Sequence, residues 1–203
     1  TGQHLRRRQT VVEPLGAATV EQREQLGTGH AVLQALPQLP GDGARTLVLY
    51  GDVPLTRVET LQRLVASAQG DGLALLTTRL ENPRGYGRIV RDAGGNVLRI
   101  AEEKDATPDE RAITEVNTGI LLVPNVFLHD ALPRLRNDDQ QREYYLTDLI
   151  AMANAAGRAV VAVDCTVDET LGVNDRPQPP HVARRYLRRI ADYPRLQAHM
   201  ERV

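Results

Sequence analysis

Several residue types are scarce in this chain of 203 residues, and each scarcity narrows what the chain can be. A single cysteine, Cys165, excludes an internal disulfide framework and a four-thiolate metal site, and leaves a small buried apolar role. Tryptophan is missing and phenylalanine occurs once, so nucleobase stacking has few rings to draw on. No apolar run approaches the roughly 18 residues of a membrane span. The opening Thr1-Gly2-Gln3-His4-Leu5-Arg6-Arg7-Arg8 lacks the apolar centre of a secretory leader. A formal net charge of −1 lacks the basic excess needed to coat DNA or an anionic membrane. A cytoplasmic protein with no nucleic-acid and no membrane partner is expected. Lys104 is the one lysine, so any reactive ammonium must be that residue. The five histidines show no two-His metal spacing, and the chain has no G-x-S-x-G, Walker lysine or G-x-G-x-x-G.

What is present alternates between strand-like and helix-like stretches, which predicts an α/β domain. Residues 46–50 form a short apolar run ending at Gly51-Asp52, as a buried parallel strand would. Thr56 is expected to cap a helix with Val58, Leu61, Leu64 and Val65 on one face. Residues 73–78 predict the next strand, and 92–96 a turn between extended pieces at 87–91 and 97–101. Thr107-Pro108 starts a short helix. Residues 116–123 predict a strand interrupted by Asn117-Thr118-Gly119; Asn125 is expected to cap a helix, and 143–156 to form another, closed by Gly157. Residues 159–163 supply the last strand. From Arg176 onward seven arginines face only Asp192 and Glu201, and Pro177, Pro179 and Pro180 set this tail apart. Residues 1–176 are therefore assigned to the domain and 177–203 to a basic helix or linker, a solvated surface element rather than a nucleic-acid site.

Six segments carry groups suited to chemistry. In residues 22–32, Gly27 and Gly29 let backbone N–H groups approach a ligand, Thr28 adds a hydroxyl, and Gln22 and Gln25 supply amides for a base or sugar edge. The same run reads equally as a glycine turn capped by threonine. Asp52, beside Tyr50 and Gly51 at a strand's carboxyl end, sits where open α/β sheets bind ligands; it suits Mg²⁺, which takes one or two protein oxygens, and suits a turn as well. Gly87 enters the hairpin behind Gly85 and Tyr86, where small residues fit either a sugar or a tight bend. Glu102 and Lys104 close the hairpin, and Asn117 places an amide in an apolar strand that either a loop or a ligand must satisfy. Asn174 offers a neutral oxygen that would complement Asp52 on a metal.

Taken in order, residues 22–32, 49–55, 85–89, 102–106, 115–120, 143–148 and 172–176 closely resemble the N-acetylglucosamine-1-phosphate uridyltransferase domain of the bacterial GlmU family. The resemblance covers about residues 20–176. It implies a Rossmann-like nucleotidyltransferase fold with a mostly parallel mixed sheet, N-terminally truncated. The implied reaction joins UTP and N-acetylglucosamine 1-phosphate to give UDP-N-acetylglucosamine and pyrophosphate, for peptidoglycan and lipopolysaccharide precursors. It further implies uracil recognition at Gln22, nucleotide contacts at Gly27 and Thr28, and a strand-end motif at Tyr50, Gly51 and Asp52. Sugar binding falls to Gly87, Glu102 and Asn117, with Mg²⁺ held by Asp52 and Asn174. On this resemblance the chain is expected to start after the family's first βα unit, with L-x-x-G-x-G-T-R-M and a nearby lysine, and residues 177–203 are not expected to form its hexapeptide-repeat β-helix. The expectation is slow turnover by this chain alone, with a homo-oligomer possible without the trimerising domain. Two alternatives remain: a nucleotide-sugar-binding relative without turnover, and a transferase for another sugar 1-phosphate.

Overall fold

The structure, a computed structural model, describes residues 17–41, 43–137 and 142–170. Helices α1 (Thr28–Ala35), α2 (Val58–Ser67), α3 (Pro108–Arg111), α4 (Asn125–Ala131) and α5 (Asp148–Ala155) surround one six-stranded sheet. Its strands are β1 (Arg45–Val48), β2 (Leu73–Arg79), β3 (Arg88–Arg91), β4 (Val97–Ala101), β5 (Glu115–Pro124) and β6 (Val160–Asp164). The order across the sheet is β4-β3-β5-β2-β6, with β1 also paired to β5.

The near-continuous apolar run of β2 is explained by helices on both faces. Leu73 and Leu75 point to a core shared with Leu121, Val123, Phe127, Leu149 and Ile150. Ala74 and Leu76 point the other way, to a smaller core with Ile120, Leu122, Leu64, Ala68 and Cys165. Cys165 is buried, and burial first, then Glu169 and Asp164, push its thiol up to about 12, which makes it unreactive.

Strand β5 is the spine. Leu121 pairs with both Val48 of β1 and Leu75 of β2, so those strands lie on opposite edges of β5. Val116 likewise pairs with Arg88 of β3 and Thr78 of β2. One edge of β5 is thus followed by β2, while β1 and β3 share the other and part from each other between Leu121 and Val116.

The mostly parallel sheet expected from the sequence is corrected by these pairings. Among the described strands only β2 and β6 run parallel; β1–β5, β2–β5, β3–β4 and β3–β5 are antiparallel. Alternation of helix and strand patterns fixes element type and leaves direction open. Between β2 and β5 the chain inserts a hairpin and the one-turn α3, with no long crossover helix to return it parallel.

Local expectations fared unevenly. The hairpin and the short helix starting at Thr107-Pro108 form as read, and the structure adds a full capping box between Thr107 and Glu110. Tyr50 lies beyond the end of β1. Helix α2 starts two residues after Thr56, and its Val58 and Val65 are exposed while Thr60 and Leu64 are buried. The Arg57 N–H at its start donates to Glu169 Oε2 at 3.0 Å, so a carboxylate from the end of the chain's described part caps it. Helix α5 is shorter than the predicted 143–156, because residues 143–147 are used elsewhere. The boundary at 176 and the tail helix lie outside the described residues. Among the described residues no helix is long and apolar enough to cross a membrane.

Asn125, expected to cap α4, makes no such cap. Its buried side chain accepts from the Thr46 hydroxyl at 2.6 Å and donates to the Pro40 carbonyl at 2.8 Å, tying β1 to the end of β5. Removing that amide takes the partner from the half-buried Thr46 hydroxyl and cuts the tie between β1 and the end of β5. Asn125→Ala should therefore cost about 2–3 kcal/mol in urea unfolding; a loss within about 0.5 kcal/mol, the range of ordinary surface substitutions, would contradict it.

Candidate substrate-binding site

A cavity of about 500 Å³ opens where β1 and β3 part along β5, lined there by Asn117, Thr118 and Gly119. The interruption in β5 supplies most of its own partners. The Thr118 hydroxyl donates to the Leu76 carbonyl at 2.8 Å, at the register shift between Leu75 and Thr77. Asn117 N–H donates to the Gly87 carbonyl at 2.8 Å, and Asn117 Oδ1 accepts from Gly119 N–H at 3.1 Å. These bonds leave the Asn117 side-chain NH₂ on the cavity wall as a donor.

Gly119 has φ +86°, and a Cβ there would stand 2.4 Å from Cε2 of Tyr50. The missing side chain lets the Tyr50 ring close the cavity floor. The Tyr50 phenol is raised above its ordinary range by burial first and by the Glu102 carboxylate second, while a hydrogen bond with Thr28 opposes the rise.

One wall is the loop into α1. Gly27, at φ +101°, and the buried Gly29 lie against the 143–146 segment: Cβ atoms there would meet the Tyr144 carbonyl oxygen at 2.7 and 2.9 Å. Tyr144 N–H donates to the Leu26 carbonyl, Gly29 N–H to the Tyr144 carbonyl at 2.7 Å, and Leu146 N–H to Thr28 Oγ1 at 3.1 Å. The glycines read as ligand contacts therefore first make room for the chain's own backbone.

The opposite wall is the hairpin entrance. Arg88, 2% exposed, donates to Glu103 Oε2 at 2.6 Å and to the Tyr86 carbonyl; Gly85 N–H reaches the same carboxylate at 3.2 Å. That pairing holds the Glu103 carboxyl below the usual carboxylate range. Gly87 sits where a Cβ would meet Ile100 Cγ2 at 2.7 Å. Glu102 accepts from the Thr147 hydroxyl at 2.7 Å.

The structure thus brings Gln22, Gly27, Thr28, Tyr50, Gly87, Glu102 and Asn117 to one cavity. Gly51 and Asp52 follow β1 in an adjacent turn and are not on its lining, although the Asp52 charge is felt by Tyr50. Lys104 is exposed in the hairpin's closing turn, away from the lining. Asn174 lies outside the described residues, and among the described residues no group of three or more acidic, histidine or cysteine side chains could hold a metal. Sequence reasoning missed Glu143, Tyr145 and Thr147 on the cavity wall, because 143–147 read as the first turns of a helix. The available signal was a Tyr-Tyr-Leu-Thr run directly ahead of Asp148, polar groups at a helix start.

The fold and cleft define a mixed-sheet α/β protein whose polar pocket sits at an opening beside its central strand. The chain belongs to the nucleotidyl transferase family, whose model matches residues 3–168. It is 59% identical over 171 residues to the bifunctional protein GlmU of Aromatoleum aromaticum, covering 84% of this chain and 37% of that protein. Identity to GlmU of Methylococcus capsulatus is 56%, over 85% of this chain and 37% of the relative; for Azoarcus sp. it is 57%, over 90% and 41%. The chain thus spans about 37–41% of the length of these relatives.

Because Glu102 is one cause of the raised Tyr50 phenol, Glu102→Gln should lower that ionisation toward the ordinary phenol value. Ultraviolet titration, with the Tyr50 signal taken as the difference from Tyr50→Phe, measures it. An unchanged or higher value would contradict the arrangement.

Proposed function

We propose that this domain transfers a uridylyl group from UTP to N-acetylglucosamine 1-phosphate, giving UDP-N-acetylglucosamine and pyrophosphate, as a cytoplasmic step toward cell-wall and lipopolysaccharide precursors. One observation carries the reading: a single cavity joins an amide and hydroxyl set on the α1 loop to a carboxylate and amide set on the hairpin and β5. The first set, Gln22, Gly27 and Thr28, suits a base and ribose. The second, Glu102 and Asn117, suits sugar hydroxyls and an acetamido group, since Glu102 accepts and the Asn117 NH₂ donates. The domain boundary at residue 176 is part of the same reading.

In the transfer, an oxygen of the sugar phosphate attacks the α-phosphorus of UTP. The new P–O bond forms as the bond to the β-phosphate bridging oxygen breaks, and pyrophosphate carries the electron pair away. A phosphate monoester is already ionised, so no side chain need act as base. The protein's work is alignment: Asn117 and Glu102 fix the sugar, Gln22 and Thr28 the nucleotide, and the Tyr50 ring on Gly119 separates cavity floor from core.

A magnesium ion fits the donor chemistry beside the cavity. Asp52 is a hard oxygen donor at a strand's carboxyl end, and such ions take few protein ligands. Asn174 would be its neutral partner. In support, the Glu169 carbonyl accepts from the Thr56 hydroxyl at 3.3 Å, which brings the 165–170 segment to the turn carrying Asp52. When bound, the ion supplies charge neutralisation for phosphate oxygens.

Calorimetry with UDP-N-acetylglucosamine on the full chain tests the reading. The wild type should bind, and Glu102→Ala should weaken binding by about 1–3 kcal/mol. Unchanged binding by the variant, or none by the wild type, would contradict it.

A further inference from the structure

A relay of side-chain hydrogen bonds runs from Gln22 in the loop before α1 to His30 and Gln34 on α1, two residues that the transfer chemistry leaves unused. Gln22 Nε2 lies 3.1 Å from the Gly27 carbonyl oxygen and 3.1 Å from His30 Nδ1. On the far side of the ring, the Gln34 amide lies 3.1 Å from His30 Nε2.

Proton bookkeeping orients all three groups. A carbonyl oxygen can only accept, so the Gln22 atom beside Gly27 must be the NH₂ group. With one hydrogen on Gly27, the other points to His30 Nδ1, which must then be a bare acceptor. A neutral imidazole carries its proton on the other nitrogen, so His30 is the Nε2–H tautomer. That N–H needs an acceptor, and Gln34 meets it with its side-chain oxygen once the two ends of that amide are exchanged. The exchange gives up only a 3.4 Å contact from Gln34 to the His30 carbonyl, near the limit of a hydrogen bond. The tautomer and both amide orientations therefore follow from one backbone carbonyl.

Both hydrogens of the Gln22 amide are then engaged, one by the Gly27 carbonyl and one by His30. Its oxygen is the atom left for the cavity that Gln22 lines. We propose that His30 and Gln34 are positioning residues that fix Gln22 as a pure acceptor, and that this polarity selects a pyrimidine with an imino N–H. Uracil presents N3–H to such an oxygen and gains a hydrogen bond. Cytosine presents a bare N3, so two lone pairs face each other with no proton between them. Selection then works by penalty against the wrong base as well as by attraction to the right one. Without His30, only the Gly27 carbonyl holds the amide, so turning it to present NH₂ to cytosine gives up one hydrogen bond instead of two. The base-selecting role rests on the reading of the cavity as a uridine-nucleotide site; the hydrogen-bond order among the three side chains does not.

Two measurements on the full chain separate these levels. Nitrogen-15 NMR of the imidazole rings, with His30 assigned by its loss in His30→Phe, should show the Nε2–H tautomer in the absence of nucleotide. Gln34→Met should shift His30 toward a mixture of tautomers. An Nδ1–H ring in the wild type overturns the proposal whatever the protein binds. Calorimetry with UTP and CTP then reads the preference. The wild type should favour UTP, and His30→Phe should reduce the UTP:CTP affinity ratio at least about tenfold. His30→Asn, which can place an amide oxygen where Nδ1 stands, should retain most of the ratio; that rescue distinguishes positioning from simple loss of fold. A ratio unchanged in His30→Phe, or a wild type that binds both nucleotides equally, overturns the base-selecting role while UTP binding stands. A wild type that binds neither overturns the uridine reading and base selection together, and the ring spectrum still decides the hydrogen-bond order.

Discussion

Each residue of a β-strand can accept one neighbour on each edge, and the candidate site follows from how β5 divides one of its edges. Strand β2 accompanies it on one side, while β1 stops at Leu121 and β3 begins at Val116 on the other. An uncovered stretch of strand edge is ordinarily a liability, because its backbone groups need partners. Here Thr118 bonds across to Leu76 and Asn117 folds its oxygen onto Gly119, so the stretch is satisfied from within. What remains is a cavity of about 500 Å³ with Asn117 on its wall.

The surrounding segments are held to that opening by specific bonds. Two backbone hydrogen bonds and the Thr28 side chain join the α1 loop to residues 144–146, and Thr147 then reaches Glu102 on the hairpin. The hairpin entrance is pinned by Arg88, a buried guanidinium whose pairing with Glu103 leaves only its Nε without a hydrogen bond. A buried cation losing its carboxylate is far more damaging than a surface pair coming apart. Residues 144–147 thus tie the two opposite walls of the cavity together, and disturbing one segment disturbs the position of the next.

Much of this was legible in the sequence where the signal is local. The buried run of β2, the hairpin with its Asp92–Asn96 turn and the helix start at Thr107-Pro108 all depend on a few adjacent residues. Strand direction depends on crossings that periodicity does not record, which is why the sheet came out mostly antiparallel. Gly27, Gly29 and Gly87 stood out as places where small size matters, whereas Gly119 was read only as part of an interruption in its strand. What approaches them is the chain itself, namely the Tyr144 backbone, Leu135, Ile100 and the Tyr50 ring. Tertiary partners of that kind cannot be read from spacing. Thr147 was hidden for the same reason: its hydroxyl matters through Glu102, forty-five positions earlier.

The central claim is that the parting of β1 and β3 along β5 creates the substrate pocket. A crystal structure of the chain with UDP-N-acetylglucosamine tests it most directly. The sugar should lie in the opening beside Thr118 and Gly119, with its acetamido or hydroxyl oxygens within hydrogen-bond reach of the Asn117 side-chain nitrogen. Its uracil should lie against the α1 loop at Gln22. A nucleotide sugar bound elsewhere, with the opening beside β5 left to water, would contradict the account.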